Sequence, residues 1–153
     1  MDLGIAGRNA IVCASSRGLG KGCAMSLAQN GVNVVVNGRD EAVTMATADE
    51  IRAASDVEVT PVLADVSTKD GQAALLAACP KPDILVNNNG GPPFRDFRDL
   101  TREDMLEGVT MNFATPIELI QAVIDPMTAQ GFGRIVNITS VTVKRPVFGL
   151  DLS

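Results

Sequence analysis

Five short apolar runs, alternating with stretches of helical period, constrain this chain more than any other feature. Ala10-Ile11-Val12-Cys13-Ala14 comes first, then Val32, Val34, Val35 and Val36, then Val57, Val59, Val62 and Leu63. Asp83-Ile84-Leu85-Val86-Asn87 and Arg134-Ile135-Val136-Asn137-Ile138 complete the series. Between the runs, 18–30 reads as a helix with Leu19, Cys23 and Leu27 on one face, stopped by Asn30-Gly31. The stretch 40–54 is a second helix with Val43, Ala46, Ala48 and Ile51 inward, 68–79 a third, and 101–130 a long helical region. Near-continuous apolar strands separated by amphipathic helices indicate a parallel sheet covered on both faces. Right-handed crossovers then predict a doubly wound α/β domain with strand order 3-2-1-4-5. No linker or break in composition divides the chain, so residues 1–153 read as one domain.

Composition narrows the chemistry. The chain has no His, Tyr or Trp. That excludes a Ser-His-Asp triad, a Cys-His pair, a His-ligated metal and a phenolic general acid, and no metal site is expected. A net charge of −5 with scattered Lys and Arg gives no basic face, so nucleic acid is not an expected partner. Apolar runs of about five residues are far short of a membrane span. Met1-Asp2-Leu3-Gly4 shows no basic and apolar leader pattern. Cys13, Cys23 and Cys79 are odd in number and lack CxxC spacing, which reads as reduced thiols in a cytoplasmic protein.

The first strand-to-helix turn reads Cys13-Ala14-Ser15-Ser16-Arg17-Gly18-Leu19-Gly20. Gly18 and Gly20 let backbone approach a pyrophosphate, and the helix start aims free N–H groups at the anion, as in a Rossmann-type dinucleotide site. A turn that merely packs a helix on a strand is the plainer alternative. Cofactor choice follows from charge at the end of the second strand, where NAD-type folds place an acid for the ribose 2′-OH. Here Asn37 takes that place and Gly38-Arg39 follow. Arg39 can pair with a 2′-phosphate through its planar fork, which favours NADP(H) over NAD(H). A solvated Arg39, or one paired with Asp40 or Glu41, is the competing possibility.

These residues resemble the short-chain dehydrogenase/reductase family, whose Thr-Gly-x-x-x-Gly-x-Gly turn is matched with Cys13 for Thr and Ala14 for the first Gly. Asn87-Asn88-Asn89-Gly90 is similar to the family's Asn-Asn-Ala-Gly after the fourth strand. The resemblance spans the whole chain, and its nearest subgroup is the 3-oxoacyl-acyl-carrier-protein reductases. It implies that Ala14, Ser16, Arg17, Gly18, Leu19 and Gly20 surround the phosphates, with Arg17 also reaching the 2′-phosphate. It further implies that Asp65 and Val66 hold the adenine, and Asn88, Asn89 and Gly90 the ribose side. Ser140 corresponds to the catalytic Ser that orients the substrate carbonyl, and Asn112 to the helix Asn whose backbone distortion seats a relay water. Read singly, Ser140, Asn112 and the Asn run are a strand-end hydroxyl, a kink residue and loop-satisfying amides. Their joint order carries the resemblance.

The pattern breaks at the acid. The family has a Tyr thirteen residues after the Ser, a position held here by Ser153, and a Lys four residues further on. A Ser hydroxyl is a poor substitute acid. The sheet is also incomplete on its C-terminal side, leaving Ile135, Val136 and Ile138 on an open edge that invites pairing. A piece of a longer polypeptide and a short product that self-associates both fit. The absence of a terminating signal in Asp151-Leu152-Ser153 favours the first. The leading expectation is NADPH-dependent reduction of a carbonyl or 3-oxoacyl substrate by the full-length family member. The alternatives are a catalytically weak or inactive nucleotide-binding or assembly protein, and a structural oligomer without cofactor. Gly91-Pro92-Pro93-Phe94 is a candidate rim for an apolar acyl chain, or a plain rigid turn. The family pairs the 101–130 helix in dimers, so a homo-oligomer is expected.

Overall fold

The computed structural model describes residues 2–153; Met1, the first residue of the stretch read against a leader, lies outside them. Strands β1 (Asn9–Val12), β2 (Asn33–Gly38), β3 (Val59–Leu63), β4 (Ile84–Asn87) and β5 (Arg134–Asn137) form one parallel sheet in the order β3-β2-β1-β4-β5. Side chains of a strand alternate between faces, and that period of two divides the core. Ala10 and Val12 join Val34, Val36, Ile84 and Val86 on one side, beneath Ala24 and Ala28 of α1 (Gly18–Gln29) and Ile51 of α2 (Glu41–Ala53). Ile11, Val35 and Leu85 face the other way, onto Leu75 of α3 (Lys69–Ala78) and onto Leu119 and Val123 of α5 (Thr115–Ala129). The doubly wound, Rossmann-type topology is therefore as the apolar runs predict.

The inward faces of the first two helices differ from expectation. Gly20, Ala24 and Ala28 are the buried stripe of α1, while Leu19 is 69% exposed and Cys23 and Leu27 sit at the flank. A Cβ at Gly20 would stand 2.5 Å from the Ala14 carbonyl oxygen, so only the smallest residue lets the helix lie this close to the turn. On α2, Ala46 is exposed and Thr44 and Thr47 are buried in its stead. Each threonine hydroxyl has an acceptor, Asp40 O at 2.6 Å and Ser16 O at 2.8 Å, which removes the desolvation penalty that makes Thr look wrong for a core face.

The 101–130 region is not one helix. It comprises α4 (Arg102–Val109), a five-residue π turn (Thr110–Ala114) and α5 (Thr115–Ala129). Pro116 has no N–H for the carbonyl of Asn112 four residues earlier, and its ring crowds that carbonyl. The ladder widens instead, with the Thr115 N–H donating to Thr110 O. A Thr101–Asp104 capping box fixes the start of α4. At the sheet edges, Pro61 lies in β3, where a missing donor is tolerated, and β5 is largely exposed, with Val136 at 44%. No helix among the described residues is long and apolar enough to cross a membrane.

Candidate functional site

The C-terminal ends of β1, β2 and β4 converge on the turn that leads into α1. Ala14 adopts a left-handed φ of 43°, the only positive value at a non-glycine among the described residues, and Gly18 follows at 58°. This geometry is held from three sides. Ser15 Oγ donates to Val12 O (2.6 Å) and accepts from Asn37 N (2.8 Å). Asn88 Nδ2 donates to Ala14 O (3.1 Å) and Cys13 O (3.3 Å). Asn37 Oδ1 accepts from Ala14 N (2.9 Å), while its Nδ2 donates to Ala64 O (3.0 Å) and Val62 O (3.2 Å). Asn37 thus faces inward as a knot between the turn and β3, and it does not present a side chain to a ribose. The residues that follow it form the mouth instead.

α1 opens on this turn without a side-chain cap and with no acid in its first turn, whereas Asp40, Thr68 and Thr101 cap α2, α3 and α4. Its first N–H groups are left for an external acceptor. A Cβ at Gly18 would meet nothing within 4 Å, so the space in front of the turn is open. The Cys13 thiol behind it is buried, and burial pushes its pKa up to about 12, which leaves it inert.

Two cavities flank the turn. A groove of about 640 Å³ is lined by Ala14, Ser16, Arg17, Arg39, Asp65 and Val66, with Gly38, Asp40, Asn89 and Gly90 at its walls. Asp65 accepts from Ser67 Oγ (2.6 Å) and Ser67 N (3.0 Å) and lies 3.5 Å from Arg39 Nη1. The Ser67 hydrogen bonds, with Arg39 adding to them, hold its carboxyl below the usual range. Arg39 therefore bridges to Asp65 across the groove and is not paired with Asp40 or Glu41.

A cleft of about 600 Å³ lies on the other side, lined by Leu19, Asn88, Asn112, Ser140 and Ser153 together with apolar residues of α5. Ser140 Oγ accepts from Thr142 N (3.2 Å), and Thr142 Oγ1 donates to Ser153 O (2.8 Å). Asn112 Nδ2 donates to Leu152 O (2.8 Å), and Asn89 Nδ2 to Met111 O (3.0 Å). Asn87 Oδ1 and Thr115 Oγ1 are buried, line the cleft and have no partner among the described residues. No lining residue carries an acidic, basic or thiol group. Of the expected rim, Gly91 and Pro92 line the cleft and Phe94 does not; Phe94 packs edge-on against Phe148 with centroids 6.0 Å apart, and Arg95 N donates to Gly149 O (2.9 Å).

Residues 8–151 match the family model described as short chain dehydrogenase. The chain belongs to this family. Among short chain dehydrogenase relatives, the oxidoreductase YvaG of Bacillus subtilis is 31% identical over 147 residues, covering 95% of this chain and 56% of that protein. L-xylulose reductase of Cavia porcellus is also 31% identical over 147 residues, covering 95% of this chain and 58% of that protein. The crystal structure of L-sorbose reductase from Gluconobacter frateurii, complexed with NADPH and L-sorbose, superposes with a TM-score of 0.92 at 26% identity. That match covers 99% of this chain and 59% of the other. The chain thus spans a little over half the length of the curated relatives it matches.

Within this short chain dehydrogenase fold, most of the residues singled out in the sequence line one cavity or the other, Asn89 lines both, and Gly18 and Gly20 line neither. Ala14, Ser16, Arg17, Arg39, Asp65, Val66, Asn89 and Gly90 share the groove. Ser140, Asn112, Ser153, Asn88 and Leu19 line the cleft, so Leu19 sits on the cleft side and away from the groove expected of it. Thr142, which ties Ser153 to the Ser140 turn, escapes sequence reading because a lone Thr carries no pattern. Asn37 was legible only as the residue in the place of an acid; its burial between three partners needed the third strand.

Proposed function

We propose that the groove binds NADP(H), with Ala14, Ser16, Arg17, Gly18 and Gly20 around the pyrophosphate, Arg39 and Arg17 at the 2′-phosphate, and Asp65 with Val66 at the adenine. Asn88, Asn89 and Gly90 border the ribose nearer the cleft. The carrying observation is that Arg17 of the first turn and Arg39 just past β2 both line the groove, beside Asp40 and Asp65, while β2 itself contributes no acid to it. When bound, the cofactor supplies hydride; Ser140 orients a substrate carbonyl in the cleft and Asn112 holds the wall beside it. The apolar lining suits an apolar carbonyl or 3-oxoacyl compound. Titration with NADPH and NADH tests the reading. NADPH should bind at least about tenfold tighter, since charge-assisted hydrogen bonds contribute about 1.5–3 kcal/mol; equal affinities would count against it.

Ser153, a poor proton donor in the place of a phenol, favours a second reading, a nucleotide-binding protein with little or no turnover. NADPH consumption with a panel of ketones and 3-oxoacyl thioesters separates the two. The exposed Met105, Leu106, Val109, Phe113, Ile117 and Ile124 support self-association along α4 and α5, and light scattering of the purified chain tests it. The reduced, buried Cys13 and Cys79 suit a cytoplasmic setting.

A further inference from the structure

Groove and cleft are also joined away from the phosphate turn, by side chains of α3 and α5. Gln72 of α3 is 6% exposed, and its Nε2 donates to Val66 O (3.3 Å) and to Glu118 Oε2 (2.8 Å). Glu118 belongs to α5, whose Pro116, Leu119 and Ile120 wall the cleft, and its Oε1 accepts from Lys69 Nζ at 2.5 Å. The Lys69 and Gln72 hydrogen bonds hold the Glu118 carboxyl below the usual range, so it stays an ionised acceptor. At the other end, Val66 O and Ser67 N belong to one peptide group. Gln72 holds the oxygen of that group, and Ser67 N donates to Asp65 Oδ1 at 3.0 Å. The group is planar, so fixing its oxygen fixes the direction of its N–H. The Asp65 backbone is held as well: its carbonyl accepts from Thr68 Oγ1 (2.8 Å), and a Cβ at Gly71 would stand 1.9 Å from that oxygen.

We propose that Gln72 is a positioning residue for the adenine side of the groove, anchored by Glu118 of α5. It touches no ligand. Its amide bridges two acceptors, a backbone carbonyl and a carboxylate, and among uncharged side chains only Asn and Gln bring two N–H donors to such a place. By holding the Val66–Ser67 peptide, it aims the Asp65 carboxylate: Oδ1 is spent on Ser67, and Oδ2 is presented on the Arg39 side of the groove. A carboxylate oxygen there accepts from the exocyclic amino group of adenine. It gains nothing from hypoxanthine, which carries an oxygen at the same position. The inference rests on the proposed seating of adenine at Asp65 and Val66.

The test uses the whole chain, with 5′-AMP and 5′-IMP as calorimetric probes that differ only at that position of the base. Gln72→Met keeps the length of the side chain and removes its donors, so the buried place stays filled. It should lose about fivefold or more of the affinity for 5′-AMP and little of that for 5′-IMP, and amide exchange at Ser67 should quicken several-fold. Glu118→Ala should do the same to a smaller degree, whereas Glu118→Gln, which keeps an acceptor, should not. Because Glu118 acts through Gln72, combining Glu118→Ala with Gln72→Met should be no worse than Gln72→Met alone. An unchanged ratio of AMP to IMP affinity, unchanged exchange at Ser67, equal losses for both nucleotides, or additive losses in the double variant would overturn the proposal. Should Gln72→Met fail to fold, the two Glu118 variants decide by the same ratio. If the parent chain itself does not favour 5′-AMP over 5′-IMP, it is the seating of adenine at Asp65 that fails, and the positioning role falls with it.

Discussion

Asn112 in the π turn and Leu152 in the last described turn are joined by a hydrogen bond from the side-chain amide to the carbonyl oxygen, 2.8 Å long. Leu152 also lies against Gly108, where an added Cβ would stand 3.3 Å from the leucine Cβ. The segment after Ser140 is thereby folded back toward α4, so that Ser153 lines the same cleft as Ser140. The tie is exposed, and an exposed hydrogen bond contributes about 1 kcal/mol or less.

Replacing Asn112 by Ala should therefore loosen 150–153 without unfolding the domain. Amide exchange at Leu152 and Ser153 should speed up several-fold, while Tm shifts by no more than roughly 3 °C. Unchanged exchange in this segment would show that the tie does not hold it.

Ala14 carries a left-handed backbone that favours glycine. The conformation costs an L residue about 1–2 kcal/mol, and the greater unfolded-state freedom of Gly offsets about 0.5–1 kcal/mol of any gain. Ala14→Gly should stabilise the chain by about 0.5–1 kcal/mol, read as a higher urea midpoint at constant slope. A lower midpoint would mean that the methyl makes contacts outweighing the strain.

The acid stability of the chain should depend on Ser67. Its hydrogen bonds lower the Asp65 pKa in the folded state. A carboxylate lowered on folding contributes stability above its unfolded value near ~4, and this is lost as pH falls through the folded value. Ser67→Ala should accordingly be less stable than the parent at pH 7, and the gap should close in acid. With the Asp65 side chain 39% exposed, solvent screening keeps the difference below about 1 kcal/mol. Urea melts at both ends of that range provide the check, and a gap that widens in acid would contradict it.

Arg39→Gln should weaken NADPH binding about tenfold or more and leave NADH nearly unchanged. The Arg39 side chain is 73% exposed, so the parent's preference should also shrink as salt is raised. Equal losses for the two cofactors would place the role of Arg39 away from the 2′ position.

The strands and their order were legible because Ile11, Val35 and Leu85 belong to runs buried on both faces, a pattern that only a covered parallel sheet satisfies. Helix faces were less so. Thr44 and Thr47 look solvent-facing until their acceptors, Asp40 O and Ser16 O, are in place. Pro116 was a visible signal for the break near Asn112, since a proline removes the donor for the carbonyl four residues back. The packing at Gly38 was not legible, because it depends on Thr44 and Ser16, which arrive from two other elements.

The bare start of α1 has a practical consequence for anyone handling this protein. Unlike the capped helices beside it, α1 receives no side-chain partner for its first amides from its own chain. Sulfate or phosphate in a buffer should compete for that place and raise the melting temperature by mass action. Thermal shifts read as cofactor binding therefore need a chloride buffer as their baseline, since an anion held at these amides would occupy the place proposed for the pyrophosphate.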